Sequence, residues 1–110
     1  MNIKHRIYNN TLYIMLIGEL DEYSAGYARN NLDNIFNQSG FNQVIIDLSE
    51  LEFMDSTGIG VLIGRYKKLK SLKIPIYICN PSGHIEKIFR MTGLYEIMPK
   101  ISWGVCYELL

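Results

Sequence analysis

The passage from a buried strand into a helix near the middle of the chain constrains the fold most. Residues 44–48 form an apolar run typical of a buried strand, and from Ser56 to about residue 72 apolar side chains recur at helical spacing. The block Phe53-Met54-Asp55-Ser56-Thr57-Gly58-Ile59-Gly60 therefore places a serine where a strand and its loop lead into a helix. There a hydroxyl can cap free backbone N–H groups, and an added phosphate would meet the positive end of the helix dipole.

Strand and helix patterns alternate along the rest of the chain, after a hairpin that turns at Asn9-Asn10. The predicted strands span residues 2–8, 11–18, 44–48, 75–79 and 97–101. The predicted helices span residues 23–38, 56–72, 82–92 and 102–110, and Gly93 is the expected stop of the third. The pattern indicates one α/β domain over residues 1–110, with a four- to five-stranded mixed, mainly parallel sheet and about four helices.

Loops that follow the carboxyl ends of parallel strands gather at one edge of a sheet, where ligands and partners usually bind. Residues 18–22, 49–57 and 80–83 are the predicted loops of that edge. Seven of the eleven acidic residues lie in or beside the first two loops: Glu19, Asp21, Glu22, Asp47, Glu50, Glu52 and Asp55. One interpretation is an acidic docking edge for a partner that offers Arg or Lys. The other is that acidic residues simply favour turns and helix N-termini.

Composition excludes several classes of function. Eleven basic and eleven acidic residues give a net charge of zero, so no overall field attracts nucleic acid or an anionic membrane. No apolar run approaches the roughly 20 residues that span a bilayer, and the first residues lack the apolar core of a signal peptide. Cys79 and Cys106 form no metal-type spacing. We expect no metal, two buried thiols and a cytoplasmic location.

The second predicted helix buries Ile59, Leu62, Ile63, Tyr66 and Leu69 and turns Arg65, Lys67, Lys68 and Lys70 outward. Close packing of helix on sheet accounts for Gly60 and Gly64. Gly58 is instead expected to let a partner's backbone and nucleotide approach the serine. For Ile59 an exposed partner contact and a core role remain equal alternatives. Asp21 precedes the first predicted helix, so it is expected both to cap that helix and to lie near Ser56.

An enzyme with Ser56 as its nucleophile would need a nearby general base. His5 and His84 are single residues expected at the surface, and the serine does not lie in a Gly-x-Ser-x-Gly motif. The Gly-Ile-Gly element lacks the remainder of a nucleotide-binding motif. Trp103 and the eight tyrosines are interpreted as core and rim rather than a base-stacking platform. We therefore expect neither an enzyme nor a cofactor.

Three motifs carry a family resemblance: Gly18-Glu19-Leu20-Asp21, residues 44–67 with the Asp-Ser-Thr-Gly-Ile-Gly block, and Ile88-Phe89-Arg90-Met91-Thr92-Gly93-Leu94. Together they resemble the anti-sigma factor antagonists, which are stand-alone STAS domains, and most of all the sporulation members of that group. The likeness covers essentially the whole chain and weakens after about Pro99.

The resemblance implies the STAS fold and a cytoplasmic switch in transcription regulation by partner switching. Such antagonists bind an anti-sigma factor that is also a serine kinase with bound nucleotide, and so free a sigma factor. The kinase phosphorylates a serine that matches Ser56, binding is lost, and a separate serine phosphatase restores it. The residues implied in partner binding are Asp21, Asp55, Thr57, Gly58, Ile59 and Gly60. We expect a monomer. The alternative is a STAS subunit of a stress-signalling assembly or membrane transporter, without a sigma-factor switch.

Overall fold

The computed structural model describes residues 1–101. Five strands and four helices lie within them: β1 (Asn2–Tyr8), β2 (Thr11–Leu20), α1 (Ala25–Phe36), β3 (Gln43–Asp47), β4 (Leu51–Met54), α2 (Ser56–Ser71), β5 (Ile76–Cys79), α3 (Gly83–Thr92) and α4 (Leu94–Ile97). The predicted α/β class is confirmed, with helices following the parallel strands. The predicted helix over residues 102–110, Trp103 and Cys106 lie outside the described residues.

One mixed sheet holds all five strands, in the order β1-β2-β3-β5 with β4 also paired to β2. The β1–β2 hairpin is antiparallel, and every other pairing is parallel. Asn9 and Asn10 both have positive φ, of 50° and 61°, as a tight two-residue hairpin turn requires. The predicted initial hairpin and mainly parallel sheet are therefore confirmed.

The prediction of an unbroken loop over residues 49–57 was wrong, because β4 lies within it. This strand pairs with the last part of the ten-residue β2, from Gly18 to Leu20, while the first part of β2 pairs with β3. Residues 97–101 were predicted as a strand, but α4 ends at Ile97 and only Lys100 forms a bridge, to Ile78 of β5. Single bridges and four-residue strands offer too few residues for a period of two to be recognised.

The core lies between one face of the sheet and the helices. Strands β2, β3 and β5 supply fully buried aliphatic side chains, and α1 buries Ala25, Ala28, Leu32 and Ile35, which recur at helical spacing. Cys79 is buried, as expected, and His5 and His84 are exposed, as expected. On α2 the most deeply buried apolar side chains are Val61, Leu62 and Leu69, with Ile59, Ile63 and Tyr66 half-buried against the core.

The prediction that Arg65 points outward was wrong. Its side chain is only 13% exposed, and its Nε lies 3.1 Å from Oδ1 of Asp33 on α1. Lys68 Nζ approaches the same carboxylate oxygen at 3.0 Å, although Lys68 itself is exposed. A carboxylate on the neighbouring helix therefore makes it possible to bury an arginine between α1 and α2. Helical periodicity along α2 alone carries no information about that partner.

The end of α2 places a lysine in a conformation that favours glycine. The Lys73 N–H donates to the Lys70 carbonyl at 2.9 Å and the Ile74 N–H to the Leu69 carbonyl at 2.9 Å, which is the Schellman pattern of helix termination. Lys73 has a φ of 60°. A left-handed backbone costs an L-residue roughly 1–2 kcal/mol. All the other non-glycine residues with positive φ between residues 1 and 101 are asparagines, which tolerate it better.

Candidate functional site

Asp55, not Ser56, caps the helix that begins at the end of β4. The Asp55 Oδ1 accepts a hydrogen bond from the Gly58 N–H at 2.9 Å, and its backbone is extended, with φ −104° and ψ −173°. Ser56 is therefore the first helical residue, with its side chain exposed. The prediction of Ser56 as the cap was wrong because Asp is as good a cap as Ser and precedes it by one residue. The serine hydroxyl is thus not used for capping.

The second oxygen of the Asp55 carboxylate ties α2 to the loop after β2. Oδ2 accepts a hydrogen bond from the Glu22 N–H at 3.2 Å. The Asp55 N–H donates to the Leu20 carbonyl at 3.3 Å, which continues the pairing of β4 with β2. One carboxylate therefore fixes two segments of the same sheet edge beside Ser56. Sequence reasoning gave Asp55 a role in partner binding but missed this structural role.

Asp21 organises the loop between β2 and α1. Its Oδ1 accepts hydrogen bonds from the Tyr23 and Ser24 N–H groups, both at 3.0 Å, while Ser24 Oγ donates to the Glu19 carbonyl at 2.8 Å. Ser24 occupies the position before α1, so the prediction that Asp21 caps that helix was wrong. The structure nevertheless brings the Asp21 loop and Asp55 together, because β2 and β4 are neighbouring parallel strands that end at the same edge.

The packing role predicted for Gly60 and Gly64 belongs instead to Gly58. Gly58 is buried, and a Cβ there would collide with the Leu20 carbonyl oxygen and lie 2.8 Å from the Met54 Cγ. Close packing within the domain therefore accounts for Gly58, and nothing in this position offers a partner access to it. A Cβ on Gly60 or Gly64 would meet no atom within 4 Å, so packing on the sheet does not account for either of them.

The other two predicted contact residues differ in exposure from Ser56. Thr57 is half-buried. Ile59 is also half-buried and packs against the core, so of its two predicted roles the core role accounts for most of its side chain. Gly60 is exposed on the first turns of the helix. The predicted set is thus assembled at one edge, but only Ser56 and Gly60 lie fully at its surface.

The edge around Ser56 is acidic, although one of the seven acidic residues predicted there is buried. Asp47 is 1% exposed, and its Oδ1 accepts a hydrogen bond from the Ser49 N–H at 2.8 Å, so it shapes the turn after β3 and adds little to the surface. The four glutamates of the edge are exposed, and Asp21 and Asp55 are half-buried. A groove of about 600 Å³ is lined by Met1, Glu19, Asp21, Tyr23, Ser24, Tyr27 and Glu52. The negative charge of this edge would attract a basic surface more than an acidic one.

Aromatic side chains also lie at this edge. Tyr23 is 89% exposed, so of the two places predicted for the tyrosines, core and rim, it does not lie in the core. Phe53 is 41% exposed and its ring stacks on that of His84, with centroids 6.0 Å apart and an interplanar angle of 11°. Exposed aromatic residues are common energetic anchors of protein interfaces. Sequence reasoning missed Tyr23 and Phe53 because an aromatic residue beside a strand end is by itself a signal for burial.

The part of the chain that the structure describes offers two further observations about binding. Among residues 1–101, no group of three or more His, Cys, Asp or Glu side chains could hold a metal ion. Nor is any helix in that range long and apolar enough to cross a membrane.

Replacing Asp55 with alanine tests its double role. Asp55→Ala removes the helix cap and the bond to the Glu22 N–H, so we expect the free energy of unfolding to fall by about 1–2 kcal/mol. Asp55→Asn keeps an oxygen for the cap and should lose less than half of that amount. Urea denaturation followed by far-UV circular dichroism measures both variants. Equal stability of the wild type and Asp55→Ala would show that the carboxylate does not stabilise this edge.

Known proteins place these features in a family. The STAS domain model matches residues 2–105. An anti-sigma F factor antagonist of Paenibacillus polymyxa is 29% identical over 99 residues, covering 90% of this chain and 85% of its own length. An anti-sigma-B factor antagonist of Listeria monocytogenes is 33% identical over 85 residues, covering 77% of this chain and 74% of its own length.

A solved structure is similar to this chain in both fold and sequence. The unphosphorylated form of the anti-sigma factor antagonist SpoIIAA superposes with a TM-score of 0.74 at 27% identity, over 97% of this chain and 94% of SpoIIAA. The phosphorylated form of SpoIIAA, described as a Bacillus cell fate determinant, gives a TM-score of 0.69 at the same identity, over 97% of both chains. The chain therefore belongs to the STAS domain family, and its relatives include anti-sigma factor antagonists.

Proposed function

We propose that this protein is an anti-sigma factor antagonist that is switched off by phosphorylation of Ser56. The observation that carries the proposal is the exposed Ser56 hydroxyl at the first residue of α2, on an acidic edge whose two segments are fixed by Asp55. In this proposal the unphosphorylated protein binds an anti-sigma factor in the cytoplasm as a monomer. That binding releases the sigma factor which the anti-sigma factor had held.

The charge of the edge supports a basic partner. The groove of this edge is lined in part by Asp21, Glu19 and Glu52. The Asp55 carboxylate lies next to the groove, because it accepts a hydrogen bond from the backbone N–H of Glu22, the residue after Asp21. Complementary charge increases the rate of encounter and fixes the orientation of docking. Tyr23 and Phe53 add apolar area that a partner could bury. Within the predicted contact set, we assign direct contact to Asp21, Thr57 and Gly60, and support of the surface to Asp55, Gly58 and Ile59.

The proposed switch is a phosphoryl transfer from ATP, catalysed by the anti-sigma factor as a serine kinase. The Ser56 Oγ forms a bond to the γ-phosphorus, the bond to the β-phosphate oxygen breaks, ADP leaves, and a base of the kinase takes the hydroxyl proton. A serine phosphatase would reverse the change by transferring the phosphoryl group to water. The N-terminus of α2 tolerates the new anion because free N–H groups and the positive end of the helix dipole lie there.

The phosphate changes the surface more than the helix. It adds about −1.5 to −2 charges at neutral pH to an edge that is already acidic. A partner that fits the neutral hydroxyl then meets extra bulk and a charge for which it has no pairing group. A nucleophilic role for Ser56 is less well supported. His84 stacks on Phe53 and His5 Nε2 lies 3.3 Å from Gln38 Nε2, and among residues 1–101 no hydrogen bond joins either imidazole to Ser56.

Removal of the hydroxyl tests the proposal. The protein is titrated by isothermal calorimetry with the candidate anti-sigma kinase of the same genome, first with ADP and then with ATP. We expect wild type and Ser56→Ala to bind with affinities equal within about twofold in ADP, because the surface charge is the same. After incubation with ATP the wild type should be released and Ser56→Ala should stay bound.

Ser71→Ala is the matched control, since it removes an exposed serine at the other end of the same helix. It should behave as the wild type in both nucleotides. A folded Ser56→Ala variant that fails to bind in ADP would contradict the proposed surface. Wild type that stays bound after ATP, with an active kinase, would contradict the switch and favour a constitutive STAS subunit of a larger assembly.

A further inference from the structure

We infer that the protein has a second binding site, for a small amphipathic anion with an aromatic or branched apolar body and a carboxylate. The site is a cavity of about 340 Å³ between the end of α2, the start of β5 and α4. It is lined by Tyr66, Lys70, Lys73, Ile74, Pro75, Ile76, Tyr77, Glu96, Ile97 and Pro99. The inference is independent of the proposed antagonist function.

The cavity lies at the edge of the sheet opposite Ser56. The lining residues between Tyr66 and Tyr77 precede or begin β5, and the others lie in α4 or just after it, whereas the switch edge is formed where the parallel strands end. Lys70 stands 14 residues after Ser56 on the same helix (70 − 56), which corresponds to roughly 21 Å along the helix axis. A small molecule in the cavity therefore cannot contact Ser56, and the two sites can be tested separately.

The lining defines the class of ligand. Three isoleucines and two prolines supply apolar walls, and the Tyr66 and Tyr77 rings supply flat aromatic surface. The volume falls in the range of roughly 300–1,000 Å³ that is typical of sites for small molecules. Among the lining residues that lie within 1–101, two lysines and one glutamate leave a net charge of +1, so an anionic end group is favoured over a cationic one. An apolar body with a single carboxylate satisfies both requirements.

The two lysines lie close to the apolar lining. Lys70 Nζ stands 5.7 Å from the centroid of the Tyr66 ring, where the ring face attracts the ammonium group and restrains it. Lys73 follows the helix end, where its backbone is held by the hydrogen bonds to Lys70 and Leu69 described above. The Lys70 amine can therefore pair with a carboxylate whose apolar body contacts Tyr66, and Lys73 lines the same cavity.

The conformation of Lys73 is the second, independent observation. Its φ of 60° belongs to a position where glycine is the favoured residue, yet the chain has a long cationic side chain there. Strained backbone of this kind is found disproportionately at binding sites, because the side chain is needed in that place. The strain is thus explained if the ammonium group of Lys73 contributes to the cavity.

The wall formed by α4 is held in place before any ligand arrives. Glu86 on α3 accepts hydrogen bonds from Lys100 Nζ at 2.9 and 3.0 Å and from the Tyr95 hydroxyl at 3.2 Å. The hydrogen bond from Lys100 is the largest cause that keeps the pKa of Glu86 below its ordinary value, so the carboxylate stays ionised. Glu96 and Ile97 are therefore presented by a fixed turn, and a preformed site costs less to occupy.

The test is a ¹H–¹⁵N NMR titration of the full chain with 4-phenylbutyrate, and with neutral 4-phenylbutanamide as the matched ligand. We expect saturable shifts with a dissociation constant of about 1 mM or tighter, centred on the backbone of Tyr66, Ile74, Tyr77 and Ile97, and none at Ser56. The amide should bind at least about tenfold more weakly. No saturation by about 10 mM, equal affinities of acid and amide, or shifts centred on the Ser56 edge would overturn the site.

Substitution of Lys73 separates binding from stability. Lys73→Gly should raise the melting temperature by about 4 °C, because the left-handed strain is removed, and should weaken 4-phenylbutyrate about tenfold. Lys73→Asn should also lose affinity while keeping a residue that tolerates positive φ. Lys67→Gln, at an exposed position of α2, is the control and should change neither the melting temperature nor the affinity for 4-phenylbutyrate. Full affinity of both Lys73 variants for 4-phenylbutyrate would overturn the proposal. NMR shifts of the cavity residues on dilution of the protein without ligand would also overturn it, because they would assign the cavity to a second copy of the chain.

Discussion

Gly58→Ala is expected to lower the free energy of unfolding by about 3 kcal/mol, whereas Gly60→Ala, two residues later on the same helix, should raise it by about 0.5–1 kcal/mol. The two substitutions add the same methyl group to the same element. Helix propensity alone would make both stabilising, because alanine is the better helix former. Their environments predict opposite signs.

The difference arises from what the new methyl group meets. At Gly58 it would collide with the Leu20 carbonyl oxygen at the end of β2 and lie 2.8 Å from the Met54 Cγ. The carbonyl cannot move freely, since it accepts the hydrogen bond from the Asp55 N–H. The N-terminus of α2 must therefore shift away from β2, and the Asp55 bonds to Gly58 and Glu22 are strained with it. At Gly60 the methyl group would meet no atom within 4 Å.

Urea denaturation of the wild type and both variants, monitored by far-UV circular dichroism, measures the effect. If Gly58→Ala does not fold in buffer alone, its melting temperature in the presence of a stabilising osmolyte can be compared with that of Gly60→Ala under the same conditions. Similar stability changes at the two positions would contradict the close contact between α2 and β2.

Ser56→Asp is expected to weaken binding of the anti-sigma kinase at least about tenfold, and stoichiometric phosphorylation of Ser56 about 100-fold or more. Both changes place negative charge among Asp21, Asp55 and the exposed glutamates of the edge. The phosphate has the larger effect because it carries about −1.5 to −2 charges and greater bulk, against −1 for the aspartate. The fold should be retained, since an anion at the start of a helix is stabilised by the helix dipole.

Calorimetric titration at low and high salt measures the affinity and its origin. The loss for Ser56→Asp should shrink as salt rises, because exposed charges are screened over roughly 10 Å at 0.1 M ionic strength. Ser71→Asp, with the same charge at the far end of α2, is the control and should bind as the wild type does. Unchanged affinity of Ser56→Asp at low salt would show that charge at this position is not the switch.

The architecture could be predicted from the sequence because long elements have a clear period. The ten residues of β2, the twelve of α1 and the sixteen of α2 each repeat their apolar pattern often enough to identify the element. Loops of the same sheet edge could then be grouped by the rule for parallel strands. That rule brought Asp21, Asp55 and Ser56 together, and the bond between Asp55 and the Glu22 N–H confirms their proximity.

The features that could not be predicted from the sequence depend on tertiary contacts, which no local pattern contains. β4 has only four residues with its ends buried and its middle exposed, so neither alternation nor an apolar run marks it. Whether Asp55 or Ser56 caps α2 depends on where β4 ends, and a difference of one residue in that end changes which side chain is the cap. Arg65 is buried by Asp33 of another helix, and Gly58 is required by a carbonyl group of β2. Each of these features is decided by a neighbour distant in sequence.

The most direct measurement of the central claim is phosphopeptide mass spectrometry after incubation of the protein with ATP and its candidate anti-sigma kinase, with and without a serine phosphatase. We expect one phosphate on Ser56, absent from Ser56→Ala, present in Ser71→Ala and removed by the phosphatase. Phosphate on Thr57 or at another residue with Ser56 unmodified, or no phosphate on a folded substrate of an active kinase, would contradict it.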